Sequence, residues 1–264
     1  MKCMSIRALA ALLALILLMG VCGCTMNPNE IVPDVNKETQ APENKVVLTE
    51  RQKKILADEG LPQEYSELTT RQQKSITDIE QMLQAVESKY GKTFLYINYT
   101  AEKELESGEL TAYPENGNAA IDAFTVKREA DNSFSDTYMC VLARPAFEEY
   151  LSAYAAETAG TDRIRVYSKV LETSLSQDSA MPEDFANKLT ADSWIFVDGA
   201  SVTEEAFASF TTNVTQWLQE QGLYGSAYFI LLKEDHLMLL TKYNYTDYLT
   251  GDWVVARQFC NVMP

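Results

Sequence analysis

The apolar residues of this chain change period at Lys92, and that change limits the folds open to it. Before it, Ile76, Ile79, Met82, Leu83 and Val86 are spaced 3, 3, 1 and 3 residues apart, which places them on one stripe of a helix. After it, Phe94-Leu95-Tyr96-Ile97 is a short apolar run of the aromatic and β-branched kind that strands favour. A helix with one apolar stripe has to bury it, and a sheet is the natural cover. The expected fold is therefore α+β, with helices packed on mainly antiparallel sheets.

The remaining pattern fills out that expectation. Leu48-Thr49-Glu50-Arg51-Gln52 is echoed by Leu68-Thr69-Thr70-Arg71-Gln72, each Thr standing where a helix N-cap belongs. Two helices follow, the first stopping at Gly60. Beyond Lys92, strands are expected at 94–97 and 110–113, and a hairpin at 121–128 and 136–143 around Asp131-Asn132. Pro145 then opens a helix carrying Phe147, Tyr150, Leu151 and Tyr154, which ends at Gly160.

A second passage begins at Ile164. It reads as a strand at 164–171, a short helix at 182–189, a strand at 194–197 and a helix capped by Ser201 or Thr203. Strands at 228–232, 237–241 and 253–262 close it, the first two joined across Glu234-Asp235. Gln81-Met82-Leu83-Gln84 with Tyr90-Gly91 parallels Gln216-Trp217-Leu218-Gln219 with Tyr224-Gly225, so the passages could be two related units of helix, strand, strand and strand. On this reading residues 48–160 form a first unit with an N-terminal helical pair, and 161–264 a second, packed with the first as one domain.

The first 24 residues carry a different message. Lys2 and Arg7 precede an almost wholly apolar run from Ala8 to Val21, and Val21-Cys22-Gly23-Cys24 closes it. The run is shorter than the roughly 20 residues a spanning helix requires, and its basic front and small-residue end fit a cleaved export signal. The ending resembles a bacterial lipoprotein lipobox, although Cys22 stands where that pattern usually has Ser, Ala, Thr or Val. The resemblance implies cleavage after residue 23, diacylglycerol on the Cys24 sulfur, and a protein anchored by lipid on the extracytoplasmic side of the cell membrane. Residues 24–47, with Pro28, Pro33 and Pro42 among polar residues, then read as a flexible tether.

Charge narrows the partners. Without Lys2 and Arg7, the 22 basic residues become 20 against 38 acidic ones, a net charge of −18. Such a surface repels nucleic acid. Cell-wall polymer, a peptide or another envelope protein remain as candidates, beside the membrane reached through the lipid. Cys140 and Cys260 are left as a possible disulfide in an oxidising compartment; buried unpaired thiols are the competing reading.

Catalytic apparatus is sparse in the sequence. His236 is the only histidine, set in a polar turn, and no Cys-x-x-Cys pair or nucleophile, phosphate or dinucleotide motif occurs. No cofactor and no metal site is expected. Asp131 to Asp136 has alternate oxygen ligands but lacks the glycine and distal Glu of a calcium loop. A carboxylate-dependent envelope hydrolase stays open as the alternative function, since carboxyl separation decides that chemistry. The candidate ligand patch is Lys242 to Trp253, where Tyr243, Tyr245, Tyr248 and Trp253 offer flat amphipathic surface for sugar rings or peptide side chains. The alternative is that Tyr243 and Tyr245 cover a sheet face.

Overall fold

Two helices begin for the same local reason. Thr49 and Thr69 each accept a bond from the backbone N–H three residues on, while the side chains of Gln52 and Gln72 accept in return from the threonine N–H groups, at 2.8 Å in both cases. The echo in the sequence is thus a repeated capping box. It starts two helices of very different length, α1 (Glu50–Asp58) and α2 (Thr70–Tyr90). The computed structural model describes residues 46–102, 107–176 and 184–263. Cys24, the export segment and almost all of the expected tether lie outside the described residues.

All five stripe residues of α2 are buried. They face a meander of antiparallel strands, β1 (Phe94–Thr100), β2 (Glu109–Pro114), β3 (Phe124–Arg128) and β4 (Phe134–Asp136), in that spatial order. Phe94, Leu110, Ala112, Phe124 and Val126 supply the sheet's half of this core. Arg51 ties α1 to α2, with Nη2 2.8 Å from Glu80 and Nη1 2.7 Å from Glu87.

The β3–β4 hairpin turns at Asp131-Asn132 as expected, with Asn132 in the left-handed region at φ 66° and the Asp131 carboxylate accepting from Ser133 N at 2.9 Å. Its second strand stops at Asp136, however. Residues 138–143, expected as strand, begin a helix, α3 (Tyr138–Ala159), and Pro145, expected to open that helix, lies inside it. A short apolar run does not reveal its own period. What fixes this one is the spacing of Ala143, Phe147, Leu151 and Ala155, four apart and all buried in a second core. The Asp136 carboxylate caps the first turn, accepting from Tyr138 N at 3.0 Å.

That second core belongs to another sheet, made of β5 (Ile164–Thr173), β6 (Leu189–Asp198), β7 (Gly225–Leu232) and β8 (Val254–Val262), in that order. β6 and β7 run parallel and are joined over α4 (Glu204–Glu220), capped by Thr203; the outer pairs are antiparallel. Both faces are covered. Ile195, Val197, Phe229 and Leu231 meet α3 and α4, while Phe196, Ile230 and Leu232 meet the segment after β7. Trp217 of α4 stacks on Tyr154 of α3, ring centroids 4.0 Å apart.

Three expectations need correction. Residues 237–241 are not a strand: His236–Leu239 is a 3₁₀ turn, and β7 pairs with β8 instead. Leu237 and Leu240 are both buried in the same cluster under the sheet, and only a helical turn brings residues three apart to one side. The two passages are not copies either, because one sheet is a meander and the other contains a parallel pair. Gly91 ends a helix at φ 62°, whereas Gly225 begins a strand at φ 126°. Finally, the division at residue 160 cuts α3 away from its partners: its first turn, with Tyr138, Val141 and Leu142, packs on the first core, while Ala143, Phe147, Leu151 and Ala155 are buried in the second. Val46–Pro264 forms one compact unit. Of the expected helix at 182–189, the first two residues lie outside the described residues, and Leu189 already belongs to β6.

Candidate ligand-binding cleft

Helix α3 has a polar stripe as well as an apolar one. Cys140, Arg144 and Glu148 follow one another at four-residue spacing, which keeps them on one face, and all three line a cleft of about 650 Å³. Thr111 of β2 and Thr125 of β3 form part of one wall. Tyr167 to Leu171 of β5 form the other, with Lys242 and Tyr245 closing over it.

Arg144 is held from behind. Its Nη2 lies 2.5 Å from Asp122 Oδ1 and its Nη1 donates to the Ile121 carbonyl. Asp122 also accepts from Asn118 N at 2.7 Å. Burial works against ionisation of Asp122, but the Arg144 bond, the Asn118 N–H and the nearby Lys242 charge outweigh it and hold the carboxyl below its ordinary range.

Glu148 is the opposite case. Its Oε1 accepts from the backbone N–H of Ser168 at 2.7 Å, and among the described residues its second oxygen has no hydrogen-bond partner. Burial pushes its pKa up, and the Ser168 bond with the charges of Arg144 and Lys242 offsets this only in part. A half-buried, incompletely neutralised carboxyl in a cleft is what a cationic or donor group on a ligand would complement.

Beside it, Tyr167 and Tyr245 stack at 4.8 Å with ring planes 14° apart, and Tyr245 also leans on Trp194 at 5.2 Å. Burial raises both hydroxyl pKa values, and the Glu148 charge adds to the rise. Lys242 sits over the Tyr243 ring at 5.1 Å.

The tyrosine-rich segment is thus divided. Tyr245 reaches the cleft, in a 3₁₀ turn (Tyr245–Tyr248) and not a strand. Tyr243 is 62% exposed. Tyr248 and Trp253 pack on each other at 5.6 Å against the second face of the β5–β8 sheet. Tyr245 packs on that same face as well as lining the cleft, so three of the four share one cluster and Tyr243 alone stands out into solvent. Cys140 and Cys260 are both free thiols. Cys140 stands on α3 beside β5 and Cys260 on β8; β5 and β8 are opposite edges of a four-stranded sheet, roughly 14 Å apart, where a bridge needs Cα atoms within about 7 Å. His236 opens the 3₁₀ turn after β7, its ring bonded among the described residues only to the neighbouring Glu234 carbonyl. No group of three or more His, Cys, Asp or Glu side chains converges on a metal position among the described residues.

Reading 138–143 as strand hid the cleft, because Arg144 and Glu148 then fell on different elements. The available signal was two opposite charges four residues apart inside an apolar stretch that Gly160 ends.

No family model and no curated protein matches the chain. Two solved structures show distant similarity. A DUF5037 family protein from Ruminococcus gnavus aligns with a TM-score of 0.34 at 10% identity, over 61% of this chain and 78% of that one. A "putative redox protein" from Lactobacillus casei aligns with a TM-score of 0.23 at 17% identity, over 54% and 92%. At these scores neither carries an argument about function.

Proposed function

We propose that this chain is a lipid-anchored binding protein of the bacterial cell surface, held by Cys24 and taking its ligand in the α3 cleft. The observation that carries the binding half is the cleft itself: a concave site with a stacked tyrosine pair, two lysines and one incompletely paired carboxyl. Hydrolysis by a carboxylate pair is the weaker reading. Glu148 is the one acid lining the cleft among the described residues, and Asp122 behind it is committed to Arg144. The anchoring half rests on the lipobox-like Val21-Cys22-Gly23-Cys24. Acyl chains bury about 0.8 kcal/mol per CH₂, and confinement to a thin layer raises the local concentration of the cleft near envelope ligands.

Expression of the full chain and of Cys24→Ala, followed by membrane fractionation and crosslinking in intact cells, tests the reading. The wild type should partition with membranes and the variant should not. Equal partitioning of the two would remove the anchor.

A further inference from the structure

The charges around the cleft are not balanced within the protein. Lys242 and Lys169 both line it, and among the described residues neither ammonium has a carboxylate within ion-pair distance. Among the described residues, Glu148 on α3 keeps one oxygen without a hydrogen-bond partner in the same space. Lys242 is near enough for its charge to act on both Glu148 and Asp122. The cleft therefore offers a seat for a cation or donor at its floor and seats for an anion at its rim, with the flat Tyr167–Tyr245 pair alongside.

We infer that the cleft takes a short peptide with free ends, its ammonium group on Glu148 and its carboxylate on Lys242 and Lys169. This rests on the cleft being the binding site, as proposed above, and names the ligand class for it. A volume of about 650 Å³ falls in the middle of the range for drug-sized ligands, which is room for more than one residue. A neutral sugar could stack on the tyrosines but would gain nothing from the lysines or Glu148. A dianion would meet the lysines but place like charge against Glu148.

Titration calorimetry on the full chain in detergent micelles tests this with alanine peptides of two to four residues, their N-acetylated and C-amidated forms, and cellobiose as a neutral sugar. At least one free peptide should bind, and blocking either end should weaken it tenfold or more. Glu148→Gln should weaken the free peptide but leave the N-acetylated form unchanged, and Lys242→Gln should do the same for the C-amidated form. A cooperative melting transition no lower than that of wild type would show that the variants fold. Equal binding of free and blocked peptides, or binding of cellobiose alone, would overturn the peptide class while leaving the cleft as a binding site. No binding by any of them overturns the peptide class as well; if, in addition, an envelope extract leaves the alkylation rate of Cys140 in the cleft unchanged, the cleft reading falls too.

Discussion

The β1–β4 sheet is covered by α1 and α2 on one face, and its other face carries Thr111 and Thr125 to the cleft. The β5–β8 sheet is buried on both faces, by α3 and α4 on one side and by residues 237–254 on the other. The first is a meander in which every strand pairs with its neighbour in sequence. The second pairs β6 with β7 across a whole helix. One half can be built by local steps, the other only by contacts that close long loops, and those are formed late and at an entropic cost. The cleft lies where the two meet, along the helix that starts in the first core and finishes in the second.

A matched pair of glycine substitutions breaks this comparison most sharply. A Cβ at Gly225 would lie 2.1 Å from the Ala191 carbonyl oxygen, at φ 126°, at the point where parallel β7 joins β6. A Cβ at Gly91 meets nothing within 4 Å, at φ 62°. Gly225→Ala should cost at least about 4 kcal/mol or prevent folding, whereas Gly91→Ala should cost about 1–2 kcal/mol, both read by urea denaturation. Similar costs would mean that the parallel pairing is no more constrained than a helix cap.

Tyr138 tests the junction. Its ring meets Phe94 and Tyr90 at 4.8 Å and Phe124 at 4.9 Å, so Tyr138→Ala should cost about 3–5 kcal/mol. If the first core and α3 are one cooperative unit, circular dichroism and tyrosine fluorescence will report a single transition in this variant. Two separated transitions would show that the halves unfold independently.

The smaller effects are electrostatic. Arg51→Ala removes the clamp between α1 and α2, at side chains only partly shielded from water, and should lower stability by about 1 kcal/mol, measurable as a small drop in denaturation midpoint. Glu148 should show itself through pH. Its carboxyl pKa is raised in the folded state, so the folded form binds this proton more tightly than the unfolded one. Stability from this group is complete below the ordinary carboxylate range and is lost as pH rises through the folded value. Glu148→Gln keeps an acceptor for Ser168 N without the charge. Its melting temperature should match wild type near about pH 4 and exceed it near about pH 8; a variant less stable than wild type at the higher pH would contradict the burial argument.

What could be read in the sequence follows the same division. The capped helices, the stripe of α2, β1 to β3 and the Asp131-Asn132 turn were legible because each depends on residues within one turn or one hairpin. The strands β5 to β8 were legible as apolar runs, but their order was not, since a parallel neighbour leaves no local mark. The run 138–143 failed because its helical character comes from Phe147 and Leu151 further along and from the sheet they bury against. The cleft shared that failure: Arg144 and Glu148 acquire meaning only when placed on one helix, and Tyr167 only when β5 is laid beside it. Tyr245 was reached from its aromatic neighbours, for a reason that did not extend to Tyr248 or Trp253.

The claim that the α3 cleft is where this protein meets its ligand can be tested with its own cysteines. Cys140 lines the cleft and Cys260 lies on the far edge of the β5–β8 sheet. Iodoacetamide labelling of the full-length protein, resolved by site with mass spectrometry, gives both rates in one experiment. Addition of a peptide-rich envelope extract should slow Cys140 and leave Cys260 unchanged; slowing of Cys260 alone, or of neither, would contradict the account.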